Sequence, residues 1–385
     1  MYKKIILFSF CLFFIYCAYS LDIKIKLFQD FEVESCVLQV ETGKYAILGD
    51  NVKILPADLE TSALLTITAF EGKIKIEKGV QFLGTFSSVE FLGTKYTNNF
   101  SLKIAEIPVK RVYEENLSVR INNGLLTIIN NISLEKYVAG VVQSEVFGSS
   151  NDLEFFKIQA IVSRTYCLAN LNRHLAQGAN LCDGTHCQSY KGKCTQPNIL
   201  RAAYETFCDV VVDTANRLVS TAYHSNSGGM TESALNVWGK DMPYLQAIKD
   251  TFSLRARNAR WEKTIPKNAW TEFFVKNYGD KYTQAPLQSQ IMKFEPDTRQ
   301  AYWIIDADTI PTKDIRMYFK LRSSFFTVAP KGDAVVLHGR GYGHGVGLSQ
   351  EGAIEMVKQG YGAADILKFY YIGTNVIKYT DIIDL

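Results

Sequence analysis

Leu134-Glu-Lys-Tyr-Val-Ala-Gly-Val-Val-Gln-Ser-Glu145 decides how the rest of the chain is read. Leu134, Val138, Val141 and Glu145 recur at the 3.6-residue period of one helical stripe. Ser133 is placed to cap the helix start. The stripe is apolar until its last member, so the pattern sets a carboxyl group where aliphatic side chains point, at the C-terminal end of the helix. Burial and the negative end of the helix dipole both favour the protonated form, which is the form a general acid needs. A helix ending before Ser144 would instead leave Glu145 in water.

A second helix is expected from about Leu153 to Leu175, capped by Asn151 or Asp152. Gln159 shares a stripe there with Phe155, Val162 and Tyr166, while Arg164 lies on the opposite face. An amide in that place is either a structural bridge or a ligand contact. Ahead of both helices, Leu117 to Ile132 reads as a strand pair turning at Asn122-Asn123-Gly124. From Leu21 to about Arg111 short strands alternate, as in Asp22-Ile-Lys-Ile-Lys-Leu27 and Gly72-Lys-Ile-Lys-Ile-Glu-Lys-Gly79. Val89-Glu-Phe-Leu-Gly93 is another. The fold class is therefore α+β: a β-rich accessory region over 21–111, then a mixed α+β domain over 112–378 with two central helices and short strands.

Residues 1–20 read as a secretory leader. Lys3 and Lys4 precede the apolar run Ile5 to Tyr16, and Cys17-Ala-Tyr-Ser20 supplies a cleavage pattern. The apolar run is too short to span a bilayer. Phe14-Ile15-Tyr16 lacks the small residues usual before a lipid-modified cysteine, which disfavours an anchor at Cys17. The expected place is outside the cytoplasm, in the periplasm or cell envelope, with no transmembrane segment in the mature chain. Of 385 residues, 47% are hydrophobic and 21% charged, which argues against wholesale disorder. The net charge of +3 argues against a nucleic-acid binder.

Beyond the leader stand Cys36, Cys167, Cys182, Cys187, Cys194 and Cys208. An even number in an exported chain reads as disulfides. Yet the run C-D-G-T-H-C-Q-S-Y-K-G-K-C over 182–194 reads equally as a zinc site, with His174, Cys182, His186 and Cys187 as a mixed nitrogen and sulfur set. Both readings stand on spacing alone.

Two further stretches carry chemistry. His338 to Gly347 alternates glycine with His338, Arg340, Tyr342 and His344. As a strand it would present one bare face and one row of imidazole, guanidinium and phenol; as a loop it would be flexible. A phosphate loop is excluded, because no lysine and Ser/Thr pair follows. In Ala222-Tyr-His-Ser-Asn-Ser-Gly-Gly-Met-Thr-Glu232, His224 and Ser227 lack a nucleophile elbow. His224, Ser227, Gly228 and Thr231 equally form a ring of polar groups for a sugar, with Trp238 and Tyr244 as stacking faces or core. A helix is expected from Ser349 to Gln359, stopped at Gly360. Thr251 to Pro330 shows no usable pattern.

Read together, these stretches resemble the stage II sporulation protein D family of cell-wall proteins. The match rests on 134–145, on Lys157-Ile-Gln-Ala-Ile-Val-Ser-Arg-Thr-Tyr166, on 222–232, and on Gly339-Arg-Gly-Tyr-Gly-His-Gly-Val-Gly-Leu-Ser-Gln-Glu-Gly-Ala353, with Cys182-Asp-Gly-Thr-His-Cys-Gln-Ser-Tyr190 as a smaller block. It covers about 117 to 375. The family includes peptidoglycan lytic transglycosylases and enhancers of cell-wall amidases. The resemblance implies Glu145 as the acid/base, cleaving the MurNAc–GlcNAc β-1,4 bond with formation of anhydro-MurNAc. Gln159, Arg164, His224, Ser227, Gly228, Thr231, His344 and Gln350 become the residues expected to hold the glycan. Some members bind zinc through the cysteine–histidine segment, which implies a structural or site-supporting zinc here. Partners implied are glycan strands and a cell-wall amidase.

The chain departs from the family where Val146-Phe147 replaces Met-Pro, and where Val162-Ser-Arg-Thr-Tyr-Cys167 replaces Ala-Ala-Arg-Thr-Tyr-Ala. The four blocks offer no obvious second catalytic carboxylate, whereas hydrolytic glycosidases normally use a pair. Two alternatives remain: a glycan-binding activator without chemistry, and a thiol- or metal-dependent hydrolase.

Overall fold

Period-two alternation builds the first strand. In β1 (Asp22–Lys26) Ile23 and Ile25 are buried while Asp22 and Lys24 face water. The computed structural model describes residues 21–94, 97–146 and 148–382, and the expected leader lies outside them. Two compact units divide the chain, one over 1–210 and 377–385, the other over 211–376.

The first unit continues with β2 (Ser35–Thr42), β3 (Tyr45–Gly49), β4 (Val52–Lys53), β5 (Leu64–Phe70), β6 (Lys73–Lys78) and β7 (Gln81–Phe86). Then come β8 (Ser88–Gly93), β9 (Asn99–Ile104), β10 (Arg111–Glu114), β11 (Asn116–Asn122), β12 (Leu125–Ser133), β13 (Leu181–Cys182) and β14 (Asp209–Val212). One sheet has the order β13-β1-β12-β11-β8-β3-β4, the other β10-β9-β2-β5-β6-β7. Tyr45 of the first meets Phe100 of the second edge to face at 5.9 Å, inside the core between them. Because β1 and β8 share a sheet with β11 and β12, the structure runs through position 111 without a boundary.

Helix α1 (Leu134–Val146) follows β12 directly, and Leu134, Val138 and Val141 are fully buried as the stripe predicts. Ser133 does not cap it: the Ser133 amide and Oγ instead bind the Glu115 carboxylate at 2.6 and 3.0 Å. Helix α2 (Leu153–Ala169) begins at Asp152, whose carboxylate accepts from the Glu154 amide at 2.8 Å. It stops at Asn170 rather than Leu175, because Asn170 turns its own amide onto Cys167 O and its side chain onto Tyr166 O. Helix α3 (Pro197–Glu205) packs on both.

In the second unit α4 (Ala234–Trp238) follows β15 (Tyr223–His224), which pairs in parallel with β21 (Leu348–Ser349). The patternless stretch 251–330 proves to hold most of an aromatic core. There β16 (Arg260–Pro266), β20 (Ala334–Arg340) and β19 (Phe326–Lys331) form one antiparallel sheet, and β17 (Tyr302–Ile305) with β18 (Asp308–Pro311) a hairpin. Around them lie α5 (Lys267–Tyr278), α6 (Leu287–Gln290) and α7 (Thr312–Tyr318). Trp270, Phe273, Phe274, Tyr282 and Trp303 are buried in their midst. Helices α8 (Gln350–Lys358) and α9 (Ala363–Tyr370) follow, and β22 (Asn375–Lys378) comes after them. The glycine-alternating run is strand only to Arg340. From Gly341 the four alternate glycines turn to φ between +70° and +113°, a backbone glycine adopts without penalty.

Candidate functional site

Glu145 sits half-buried in the last turn of α1. Three successive side chains there grip the loop after the cysteines. Gln143 Oε1 accepts from the Thr195 amide at 2.7 Å, Ser144 Oγ from the Lys191 amide at 2.9 Å, and Glu145 Oε1 from the Ser189 amide at 2.7 Å. Gly140 makes the grip possible, since a Cβ there would stand 2.5 Å from Gly192 O and 2.6 Å from the Tyr190 ring. Tyr190 is buried between Tyr137 and Tyr113 and donates to Asn130 Oδ1 at 3.0 Å. The carboxyl is thus oriented from two sides, by its helix and by an amide the loop presents.

Of the two α2 candidates, Gln159 is fully buried with Nε2 3.4 Å from Ser163 Oγ. Nearby, buried Gln188 donates to Ser163 O at 3.2 Å and approaches Tyr137 Oη at 3.4 Å. Arg164 is also fully buried, with Nε on Glu135 Oε1 at 2.8 Å and Nη2 on Oε2 at 2.5 Å. Its Nη1 donates to Asp209 O at 3.0 Å. This guanidinium joins α1, α2 and β14, leaving no surface for a strand, so its place is structural rather than glycan-holding.

His174, Cys182, His186 and Cys187 come together with all four ligand atoms within 4.8 Å of one another. His174 Nε2 lies 3.2 Å from His186 Nδ1, and both thiol sulfurs lie 3.8 Å from that same nitrogen. A tetrahedral zinc with bonds of about 2.0–2.3 Å has edges of roughly 3.3–3.8 Å, so the donor set fits the ion. His174 Nδ1 is 3.0 Å from Gln177 Oε1, the outer contact that leaves Nε2 as ligand. The hydrogen bond between the two thiols holds Cys182 below its ordinary value and pushes Cys187 above it, so Cys182 is the readier thiolate for a metal. None of the six cysteines forms a disulfide.

The second unit gathers the other candidates. His224 is buried, with Nδ1 3.1 Å from Val346 O and Nε2 without a partner. Its ring stands 5.5 Å from that of His344, which in turn faces Trp238 at 5.3 Å. Ser227 is fully buried and donates to Asp250 Oδ2 at 2.7 Å; Thr231 is tied to Gln246 O and the Ile248 amide. Gly228 has φ +70° against the Arg340 backbone, and Gln350 opens α8. Sequence reasoning missed Arg299, from the patternless stretch. It is buried and donates to Ser227 O, Met230 O and His344 O at 3.2–3.3 Å, with Glu232 at 3.7 Å. A Cβ on Gly345 would fall 2.4 Å from its guanidinium. One arginine thus locks the 222–232 loop to the glycine run.

The fold is α+β, with a half-buried carboxyl group in the last turn of α1. A family profile described as Stage II sporulation protein matches residues 122–220. The chain is 31% identical over 268 residues to Stage II sporulation protein D of Bacillus subtilis (strain 168), covering 64% of this chain and 75% of that protein. With the protein of that name from Bacillus amyloliquefaciens the identity is 30% over the same shares. It is 26% identical over 290 residues to a protein named Amidase enhancer from Bacillus subtilis (strain 168), covering 62% of this chain and 40% of that protein. The chain belongs to the stage II sporulation protein D family, and its function is related to the cell wall. Among the described residues no helix is long and apolar enough to cross a membrane.

Proposed function

We propose that the chain is an exported peptidoglycan lytic transglycosylase with Glu145 as its single acid/base. The observation that carries this is the half-buried Glu145 carboxyl whose Oε1 accepts from the Ser189 amide. The Ser189 amide fixes the orientation of the carboxyl group that is to exchange the proton. Glu145 gives that proton to the glycosidic oxygen as the bond from MurNAc C1 breaks. The MurNAc 6-hydroxyl oxygen then bonds to C1 and its proton passes to the Glu145 carboxylate, closing the anhydro ring and restoring the acid. No water enters, so one carboxyl serves both steps; hydrolytic enzymes normally use a second. In the second unit His344 and Gln350 remain candidates for contacting the glycan, and buried His224, Ser227, Gly228 and Thr231 would act by shaping the loops around them; in the first, buried Gln159 would act within α2.

Zinc held by His174, Cys182, His186 and Cys187 would staple the loop that carries Ser189, a structural contribution. The test is digestion of purified glycan strands with wild type and Glu145→Gln. Anhydro-MurNAc ends, one water lighter than hydrolytic ends, are expected from wild type, and a drop of about 10²–10⁴-fold from the variant. The likeness to a protein named Amidase enhancer favours one second reading, a glycan-binding activator of an amidase. Strand binding without cleavage by either protein would select it.

A further inference from the structure

Beside His344 the second unit encloses a small cavity of about 30 Å³, lined by Glu232, Asn236, Tyr302, Lys313, Arg316 and His344 among others. It is large enough for one or two waters and too small for a pyranose ring. Its charges do not balance. The Glu232 carboxylate is already engaged, with Oε1 accepting from the Ser233 amide and Asn236 Nδ2 at 2.9 and 2.8 Å, and Oε2 facing Arg299 at 3.7 Å. Arg316 is half-buried and makes one long bond, Nε to Leu321 O at 3.4 Å. No described carboxylate lies within ion-pair distance of Arg316 or Lys313. The positive field also shows on the histidine: burial first, then Arg316 and Arg299, push His344 down to about 4. A guanidinium held partly out of water without an anion is unusual, because its planar fork is matched to a carboxylate. Trp238 and Tyr302, each nearly half exposed, supply apolar ring faces in this region.

We propose that this cavity is a carboxylate subsite, in which Arg316, supported by Lys313, receives a carboxylate of a peptidoglycan saccharide whose sugar ring stays outside against Trp238 and Tyr302. The proposal rests on the cell-wall reading above but not on catalysis. Peptidoglycan offers this group in two places, the lactyl ether of a MurNAc stripped of peptide and the stem peptide itself.

The test measures binding to full-length Glu145→Gln protein, so that turnover plays no part. Three probes separate the sources: GlcNAc–MurNAc with a free lactyl carboxylate, its methyl ester, and the same disaccharide carrying a stem peptide. A carboxylate probe should bind about tenfold more tightly than the ester, and added Arg316→Gln should remove that preference while leaving ester affinity unchanged. Added Lys313→Gln, at an exposed position, should reduce the preference about threefold and serves as the second variant. Arg316 dependence with the free disaccharide assigns the lactyl group; dependence with the peptide-bearing probe alone assigns the stem peptide. Equal affinity for all three probes, or equal weakening of all by Arg316→Gln, would overturn the subsite. Absence of anhydro products from wild type alongside an intact carboxylate preference would sink the enzyme reading and leave the subsite standing.

Discussion

Arg164 and Glu135 meet through two parallel hydrogen bonds, with the guanidinium wholly buried between helices. Breaking such a pair leaves an uncompensated charge in the core, at a cost of about 3–5 kcal/mol. Glu135→Gln and Arg164→Met should each lower denaturation free energy by that amount, and the double variant by less than their sum. Additive losses in a denaturant titration would show the two charges acting independently.

The Ser189 amide gives a sharper handle on Glu145 than deleting the carboxyl. Ser189→Ala keeps the N–H and should digest strands at the wild-type rate. Ser189→Pro removes the donor and should slow formation of anhydro ends by at least about tenfold, the scale of one misplaced catalytic group. A proline variant of unchanged melting temperature and unchanged rate would show that the amide does not orient the acid.

Metal content separates the two readings of the cysteines. Purified protein should hold one zinc per chain, and chelation should lower its melting temperature and release a full set of titratable thiols. Cys182→Ser should lose the metal. Fewer than six thiols in the leaderless chain after chelation and denaturation would restore the disulfide reading.

Acid should weaken the second unit. Burial, with Arg316 and Arg299, holds His344 down to about 4, and burial drives His224 well below its ordinary value. Unfolded histidine takes its proton near 6.5. Between about pH 6.5 and 4 the unfolded chain therefore binds more protons, so stability is complete above that window and falls on acidification, by up to about 1.4 kcal/mol per pH unit for each histidine. Asp250, raised by burial, runs the opposite way above its unfolded value near 3.8. Comparing wild type with His344→Asn isolates the histidine: the variant should show a shallower slope from pH 6.5 to 4, and identical slopes would refute the assignment.

Much of this was legible in the sequence because local periodicity is a local property. The α1 stripe, the alternating β1 and β6, and the turn at Asn123-Gly124 each state their geometry within a dozen residues. The Glu145 anomaly and the four residues of the cysteine–histidine cluster were readable for the same reason. Other features depend on distant partners. Arg299 carries no signal of its own, since its meaning lies in the carbonyls of Ser227, Met230 and His344. Arg164 reads as a glycan-holding group on the face opposite Gln159, but that face is enclosed and the guanidinium is spent on Glu135 and backbone carbonyls. In the stretch 251–330 Trp270, Phe273, Phe274 and Tyr278 do recur at helical spacing, but the core they join is completed by distant partners such as Trp303, Val328 and Leu337, and the end of α2 was set by one asparagine side chain.

The placement of β1 has a consequence for how the chain reaches this fold. Ile23 pairs with Ile132, and Lys26 with Cys182 on the other edge. A chain that emerges N-terminus first therefore makes its first strand long before either neighbour exists. Contacts so distant in sequence slow folding: both edges of Asp22–Lys26 stay open until 129–133 is available, and the second stays open until 181–182. Charged Lys24 and Lys26 on this short segment act as gatekeepers against such pairing. The assembly of this sheet is governed as much by delay as by affinity.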